Sequence, residues 1–157
     1  MSSAESINKL FREKGRTLGS VESFTGGGFA EAITSVSGAS HFFKGGYVTY
    51  MTEEKNRLLG ISWETIDRYG VVSQEVAGEM AGHAKCLLNV DYCVSFTGNA
   101  GPSAMEDKPV GEIHIGIAFS DTAQVYSFNL EGTRQEIQDK AIEIAFNLLE
   151  STILQNN

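Results

Sequence analysis

Alternation between helical and strand patterns is the feature that most constrains the fold of this chain. Strands are predicted at residues 17–22, 47–50, 91–96, 111–119 and 123–130. Helical patterns lie at the N-terminus, over 29–36, 53–60, 62–69 and 74–88, and from about Thr133 onward. The last two strands form a pair, whereas the earlier ones are separated by helices. This order predicts a three-layer α/β/α sandwich on a mixed, mostly parallel sheet.

Length and charge narrow the classes of partner. The 157 residues contain no linker or repeat, so one domain over 1–157 is expected. A net charge of −8 opposes broad contact with a phosphate backbone, and we expect no direct nucleic-acid partner. No apolar run approaches the roughly 20 residues of a membrane span. The N-terminus also lacks the pattern of a secretory signal, so a cytoplasmic protein without a membrane partner is expected.

The cysteines and histidines give no sign of a metal site. Cys86 and Cys93 fall in different predicted elements and form no CxxC pair, so two reduced apolar thiols are the simplest interpretation. The three histidines, His41, His83 and His114, show no metal-ligand spacing. We therefore predict no metal and no cofactor.

Hydroxyl side chains stand at the ends of three predicted strands. These residues are Ser23, Tyr50 and Thr97. In open α/β sheets, ligands bind in the crevice beyond the carboxyl ends of the strands. If the three strands are parallel, the three hydroxyls converge on one crevice.

Ser23 lies in a strand–turn–glycine–helix setting that suits a nucleophile. Free N–H groups near Gly26 and Gly27, at the start of the next helix, would hold a phosphate or an oxyanion. The simpler alternative is that Ser23 or Thr25 only caps this helix. The flanking residues match neither GxSxG nor SxxK, so known serine-enzyme signatures do not decide between the two.

A serine nucleophile needs a base, and Lys55 is the best placed candidate. It lies one turn into the helix after Tyr50, near the same crevice, and would act as a base if burial lowered its pKa. The alternative is a solvated lysine paired with Glu53 or Glu54. Arg134, at the start of the last helix, would clamp a phosphate or carboxylate, or else pair with a neighbouring glutamate.

Six motifs in fixed order resemble the CinA C-terminal domain family, which includes stand-alone nicotinamide mononucleotide deamidases of the PncC type. The motifs are Glu22-Ser23-Phe24-Thr25-Gly26-Gly27, Gly46-Tyr47-Val48-Thr49-Tyr50, Lys55 with Leu59-Gly60, Gly70-Val71-Val72-Ser73, Thr97-Gly98-Asn99-Ala100-Gly101-Pro102 and Lys108-Pro109-Val110-Gly111. The resemblance covers nearly the whole chain, from about Glu5 to Leu149. Full-length CinA proteins carry a further N-terminal domain, so this chain resembles the stand-alone form.

The resemblance implies hydrolysis of nicotinamide mononucleotide to nicotinate mononucleotide and ammonia, in pyridine-nucleotide salvage, with no metal. It implies that Ser23 is the nucleophile and Lys55 its base, assisted by Tyr50 and Thr97. The residues expected to bind substrate are Thr25, Gly26, Gly27, Gly98, Asn99, Gly101 and Arg134. It also implies a homo-oligomer, a dimer or larger.

The sequence departs from the family pattern around the proposed site. Phe24 replaces a cysteine, Met51 and Thr52 replace Ser-Asn, Asn99 replaces an aliphatic residue, and 103–105 replace a glycine-rich stretch. These changes support a second hypothesis, a non-catalytic nucleotide-binding or regulatory module. A third, a DNA-transaction factor in competence, is opposed by the charge of −8.

Overall fold

The computed structural model describes residues 2–156. Its strands are β1 (Leu18–Glu22), β2 (Phe43–Val48), β3 (Tyr92–Gly98), β4 (Glu112–Phe119) and β5 (Thr122–Asn129). Its helices are α1 (Ala4–Lys14), α2 (Gly28–Thr34), α3 (Thr52–Arg57), α4 (Trp63–Tyr69), α5 (Gln74–Leu88) and α6 (Arg134–Gln155), with a short 3₁₀ turn at Ala39–His41. The predicted alternation of helices and strands is confirmed, with shifted boundaries. None of the helices in residues 2–156 is long and apolar enough to cross a membrane.

The five strands form one mixed sheet in the order β2-β1-β3-β4-β5. Strands β2, β1 and β3 are parallel neighbours, whereas β3–β4 and β4–β5 are antiparallel. Strand β5 therefore runs in the same direction as the three parallel strands, and only β4 is reversed. This arrangement confirms the predicted mixed, mostly parallel sheet and brings the carboxyl ends of β1, β2 and β3 to one edge.

Helices cover both faces of the sheet, which gives the predicted three layers. On one face, α1, α2 and α6 enclose an aromatic core that includes Phe11, Phe29 and Phe96. On the other face, α3, α4 and α5 enclose a smaller core of aliphatic side chains such as Ile61 and Met80. We call these the aromatic core and the aliphatic core.

Side chains cap the starts of α4, α5 and α6 but not the start of α3. Ser62, Ser73 and Thr133 each accept a hydrogen bond from a backbone N–H in the first turn of α4, α5 and α6. In α3, Thr52 is the first helical residue, and Met51 occupies the cap position without a side-chain bond. The acidic first turn, with Glu53 and Glu54, still favours this helix start.

Strand β2 begins four residues earlier than predicted. Lys44, Gly45 and Gly46 have little strand propensity, yet Phe43, Gly45 and Gly46 pair with β1, and the register shifts at Lys44. A Cβ at Gly46 would lie 2.4 Å from Ser20 Oγ, so only glycine allows this close approach of the two strands. Tertiary pairing therefore overrides local preference here.

Candidate active site

Ser23 and Lys55 lie in direct contact at the sheet edge. Lys55 Nζ is 3.0 Å from Ser23 Oγ and 2.7 Å from the carbonyl oxygen of Thr49, which accepts a hydrogen bond from it. Only 8% of Ser23 and 1% of Lys55 is exposed. The pairing inferred from the positions of the two residues in the sequence is therefore present as a buried contact.

Burial changes the acidity of this lysine. Loss of hydration lowers the pKa of Lys55 from 10.5 to about 8, and the negative charge of Glu106 partly opposes that effect. A lysine with a pKa near 8 is neutral in a substantial fraction of molecules at physiological pH. In its neutral form the amine has a lone pair, which is what a general base needs to accept a proton.

Backbone pairing at the ends of the parallel strands fixes this geometry. Ser23 N–H donates to the carbonyl oxygen of Phe96 at 3.0 Å, which continues the β1–β3 ladder beyond β1. Thr49 N–H donates to the Glu22 carbonyl oxygen at 2.9 Å, which continues the β1–β2 ladder. Ser23 and the Thr49 carbonyl are thus held on rigid elements, and α3 brings Lys55 to both.

A cavity of about 200 Å³ opens beside Ser23. Its walls are Ser23, Phe24, Tyr50, Gly98, Asn99, Ala100, Ser103, Met105 and Arg134. It therefore combines a candidate nucleophile, apolar walls and one guanidinium, a composition suited to a small ligand that carries an anionic group. Five of the residues predicted to form the site line it: Ser23, Tyr50, Gly98, Asn99 and Arg134.

Arg134 and Tyr50 meet at the mouth of the cavity. Arg134 donates from Nη2 to the Tyr50 hydroxyl at 2.6 Å and from Nη1 to the Gly101 carbonyl oxygen at 2.7 Å. Tyr50 is 55% exposed, so this contact lies at the surface. The guanidinium links the start of α6 to the loop after β3 and to the turn before α3.

Thr97 follows Phe96, the β3 partner of Glu22, and so lies beside Ser23 across the ladder, but its hydroxyl is bonded elsewhere. Its buried hydroxyl donates to the Val71 carbonyl oxygen at 2.7 Å, on the side of α5. Its position four residues after Cys93 on β3 places it on the same sheet face as Lys55, but the hydroxyl is engaged with the segment before α5. Only two of the three strand-end hydroxyls, those of Ser23 and Tyr50, line the cavity.

Most N–H groups at the start of α2 are hydrogen-bonded, where the sequence predicts free ones; among the turn hydrogen bonds of residues 2–156, none is donated by Gly27. The buried carboxylate of Glu22 accepts hydrogen bonds from Phe29 N–H at 2.9 Å and Ala30 N–H at 3.0 Å. Gly26 N–H donates to the Ser23 carbonyl and Gly28 N–H to the Thr25 carbonyl, both at 3.0 Å. A glutamate from β1 thus fills the position in which a phosphate was expected.

Thr25 and Asn99 have roles that the sequence does not reveal. Thr25 is buried, its hydroxyl has no partner in the described chain, and it lines a groove between α2 and α6 rather than the cavity. Asn99 accepts from Met105 N–H and donates to the carbonyl oxygens of Met105 and Lys108, each at 3.2 Å. Its amide organises the loop after β3.

The glycines of the predicted site differ in their surroundings. Gly26 and Gly27 have left-handed φ angles of 60° and 99° in the turn after Ser23, which glycine adopts without strain. Gly98 packs against β4, where a Cβ would lie 2.7 Å from the Glu112 carbonyl oxygen. Gly101 supplies the carbonyl that Arg134 binds.

Phe24, the bulky departure beside the nucleophile, is accommodated in the aromatic core. Its ring makes an edge-on contact with Phe96 at a centroid distance of 6.5 Å, and only 4% of it is exposed. Gln138 on α6 donates to the Phe24 carbonyl oxygen at 2.7 Å. Phe24 therefore forms one wall of the cavity and leaves Ser23 in contact with Lys55.

Three side chains near the site make contacts that the sequence does not predict. Glu22, Glu106 and Gln138 each bind backbone groups of the turns around the site. For Glu22, a carboxylate two positions before a helix-starting turn is a recognisable signal. Glu106 and Gln138 act across 34 and 114 residues of sequence, so local pattern gives no indication of them.

The fold and the buried serine–lysine contact define a three-layer α/β/α domain with a candidate nucleophile and base at its sheet edge. The model of the CinA C-terminal domain matches residues 1–153, so the chain belongs to that family. A competence-damage inducible protein of Bacillus subtilis is 41% identical over 138 residues, which is 88% of this chain and 33% of the relative. One of Streptococcus gordonii is 40% identical over 148 residues, or 94% of this chain and 35% of the relative.

The chain spans about a third of the length of the curated relatives it matches. Among solved structures, the competence/damage inducible protein CihA of Agrobacterium tumefaciens is 30% identical with a TM-score of 0.90, covering 94% of this chain and 92% of that one. Competence damage-inducible protein A of Klebsiella pneumoniae, 24% identical, has a TM-score of 0.96 and covers 98% and 96%. The likeness to the Klebsiella protein shows the fold.

Proposed function

We propose that this chain is an amidohydrolase that converts nicotinamide mononucleotide to nicotinate mononucleotide and ammonia, in pyridine-nucleotide salvage. The observation that carries the proposal is the contact between Ser23 Oγ and the buried Lys55 amine, 3.0 Å apart. A lysine with a pKa lowered to about 8 is a suitable base for a serine hydroxyl near neutral pH. The CinA family membership supports the same reaction class through the resemblance described above.

In this mechanism the neutral Lys55 amine takes the Ser23 hydroxyl proton while Ser23 Oγ forms a bond to the carboxamide carbon. The tetrahedral intermediate collapses as the C–N bond breaks, and Lys55 returns the proton to the leaving nitrogen, which departs as ammonia. Water then attacks the Ser23 ester, giving one proton to Lys55. Breaking of the ester bond returns that proton to Ser23 and releases the carboxylic acid, which loses the second proton of the water to solvent and leaves as the carboxylate.

Two groups of donors support binding of the charged parts of the reactants. The N–H groups of Phe24 and Thr25, next to the nucleophile, take part in none of the turn hydrogen bonds described above and are the candidates for the oxyanion. Arg134, at the cavity mouth, is the candidate for the 5′-phosphate, which would replace the Tyr50 hydroxyl as its partner. Because Glu22 fills the start of α2, Arg134 carries this role without the helix N-terminus.

The test is ammonia release from nicotinamide mononucleotide by the purified chain, with Ser23→Ala as the control. We expect the variant to lose activity and the wild-type kcat/KM to rise with pH through a midpoint near 8, as Lys55 loses its proton. Full activity in Ser23→Ala would rule out the serine mechanism. Absence of ammonia from the wild-type protein would rule out the amidase proposal.

A second candidate function is a non-catalytic module that binds a pyridine nucleotide. Two observations favour it: Arg134 is already bonded to Tyr50 and Gly101, and the Asn99 amide is committed to its own loop. Calorimetric binding of nicotinamide mononucleotide without ammonia release would support this function. Binding that is lost in Arg134→Leu would place the ligand in the cavity described here.

A further inference from the structure

The loop between β3 and β4, residues 99–111, is fastened to the segment before α5 by one carboxylate. Glu106 accepts hydrogen bonds from Val71 N–H at 2.8 Å and Val72 N–H at 3.0 Å. A Cβ at Gly70 would lie 2.6 Å from Glu106 Oε1, so glycine leaves room for the carboxylate. Both oxygens of Glu106 are thus held at a site shaped to receive them.

Other polar contacts hold the same loop in place. Lys108 Nζ donates to the Tyr69 carbonyl oxygen at 2.9 Å and also to the Val72 carbonyl oxygen. Glu106 and Asp107 have φ angles of 62° and 56°, a left-handed conformation that costs free energy for residues other than glycine. The contacts of Glu106 and Lys108 compensate for that cost, and they position the loop that supplies Ser103 and Met105 to the cavity wall.

The charge of Glu106 also acts on the buried lysine. Burial lowers the Lys55 pKa, and Glu106 is the charged group that raises it. The other carboxylates near Lys55 are engaged elsewhere: Glu54 pairs with Arg57, and Glu22 binds the start of α2 on the opposite face of the sheet.

Three further charged or titratable groups lie on the elements around Lys55: Glu53, His83 and Lys108. Glu53 is exposed on α3. On α5, His83 Nδ1 is hydrogen-bonded to the Leu59 carbonyl oxygen at 2.7 Å. Lys108, on the loop itself, lies 3.5 Å from Glu106 and shares its contacts with residues 69–72. Glu106 is therefore the group whose removal should affect the lysine most directly.

We propose that Glu106 is a positioning residue of this site: its carboxylate binds Val71 and Val72 and so holds the cavity loop in place, and its negative charge favours the protonated form of Lys55. The role of the loop in catalysis rests on the proposed function, whereas the effect on the lysine does not. A purely structural Glu106 would stabilise the loop without changing the titration of Lys55.

The test is a direct titration of Lys55 in the full chain, by NMR of ¹³C-labelled lysine, with the resonance assigned by its loss in Lys55→Met. Glu106→Gln keeps the shape of the side chain and removes its charge, so the Lys55 midpoint moves to lower pH by about 0.5 to 1. Glu106→Asp keeps the charge, and its midpoint stays nearer that of the wild type. Lys108→Met, which weakens the loop contacts but leaves the Glu106 charge, does not lower the midpoint.

The hydrogen bonds from Val71 and Val72 to Glu106 are tested separately, by amide hydrogen exchange at these two residues. Glu106→Gln leaves at most one oxygen acceptor for two N–H groups, so amide exchange at Val71 and Val72 accelerates by about tenfold or more. An unchanged Lys55 midpoint in Glu106→Gln, or an equal decrease in Lys108→Met, overturns the electrostatic role. Unchanged exchange at Val71 and Val72 overturns the fastening role.

These measurements remain decisive if the chain does not hydrolyse nicotinamide mononucleotide, because neither depends on turnover. If it does, the acid limb of the kcat/KM profile in Glu106→Gln moves in the same direction as the Lys55 midpoint. Failure of the amidase proposal and failure of the Glu106 proposal are therefore separate outcomes.

Discussion

The two faces of the sheet pack against cores of different side-chain composition. The aromatic core contains rings in contact with one another, among them Phe11 with Phe42 and Phe29 with Phe96, at centroid distances of 5.6 and 5.3 Å. The buried members of the aliphatic core include no aromatic ring, and its face of α3 also carries Lys55, four residues before Leu59. One face therefore packs aromatic rings together, whereas the other places a buried amine beside Ser23.

This difference indicates where stability and chemistry reside. Aromatic side chains bury large areas and contribute strongly to folding. Burial of an amine costs free energy, because its charged form loses hydration, and that same cost lowers its pKa. We infer that the aromatic core stabilises the sheet edge at which Lys55 is held in an unfavourable but reactive state.

The sharpest test of this comparison is Lys55→Met. With its base removed, amide hydrolysis should fall by about a thousandfold, the typical contribution of a positioned base, while the fold is retained. Ammonia release and circular dichroism measure the two properties. Lys140→Met, an exposed lysine on α6, serves as the matched control and should keep wild-type activity. A Lys55→Met variant with more than a tenth of wild-type activity would contradict the proposed role.

On the aromatic face, Phe96→Ala should cost about 3–5 kcal/mol of unfolding free energy. Phe96 is fully buried and contacts both Phe24 and Phe29, so truncation leaves a cavity that its neighbours cannot fill. Urea denaturation measures the loss, and Phe96→Leu is the control, with a cost near 1.5 kcal/mol or less. A loss below 1 kcal/mol in the alanine variant would show that the aromatic face is not the main source of stability.

A smaller effect is expected in the pH dependence of stability. A folded pKa of about 8 against 10.5 when unfolded corresponds to about 3 kcal/mol of unfavourable burial, present in full below pH 8 and lost as pH rises towards 10.5. Hydrogen bonds to Ser23 and Thr49 offset part of it. Lys55→Met should therefore exceed the wild type by about 1–2 kcal/mol at pH 7, and the difference should shrink above pH 8.

The measurement is urea denaturation of both proteins at several pH values. A difference that stays constant from pH 7 to pH 10 would mean that Lys55 titrates alike in the folded and unfolded states. That result would remove the basis for its action as a base near neutral pH.

Periodicity and caps predict most of the fold because they are local properties. Ser62, Ser73 and Thr133 mark helix starts by their own hydrogen bonds, and the strand pair at β4 and β5 follows from alternating patterns. The start of β2 is missed because Gly45 and Gly46 have no strand propensity of their own. Their pairing depends on β1, which the local sequence does not describe.

The candidate site is predictable where strand ends and helix starts decide position, as for Ser23, Lys55 and Tyr50. The site is not predictable from sequence where a side chain can bond to any of several backbone groups. Thr97 bonds to Val71, and Glu106 binds the N–H groups of Val71 and Val72, because those groups are brought near by the packing of distant segments.

Two buried serines on opposite faces of the sheet provide the finest comparison. Ser95 Oγ donates to the Ala77 carbonyl oxygen at 2.6 Å and accepts from Gly116 N–H at 3.1 Å, linking the sheet to α5. Ser20 Oγ, on the aromatic face, has no partner among the described residues. Ser95→Ala removes both of these hydrogen bonds and should cost about 1–3 kcal/mol, whereas Ser20→Ala should be neutral or slightly stabilising. Thermal or urea denaturation of the two variants measures the contrast. Equal losses of unfolding free energy in the two variants would mean that the Ser95 hydrogen bonds add no stability. Buried polar groups on the aliphatic face would then contribute no more than those on the aromatic face.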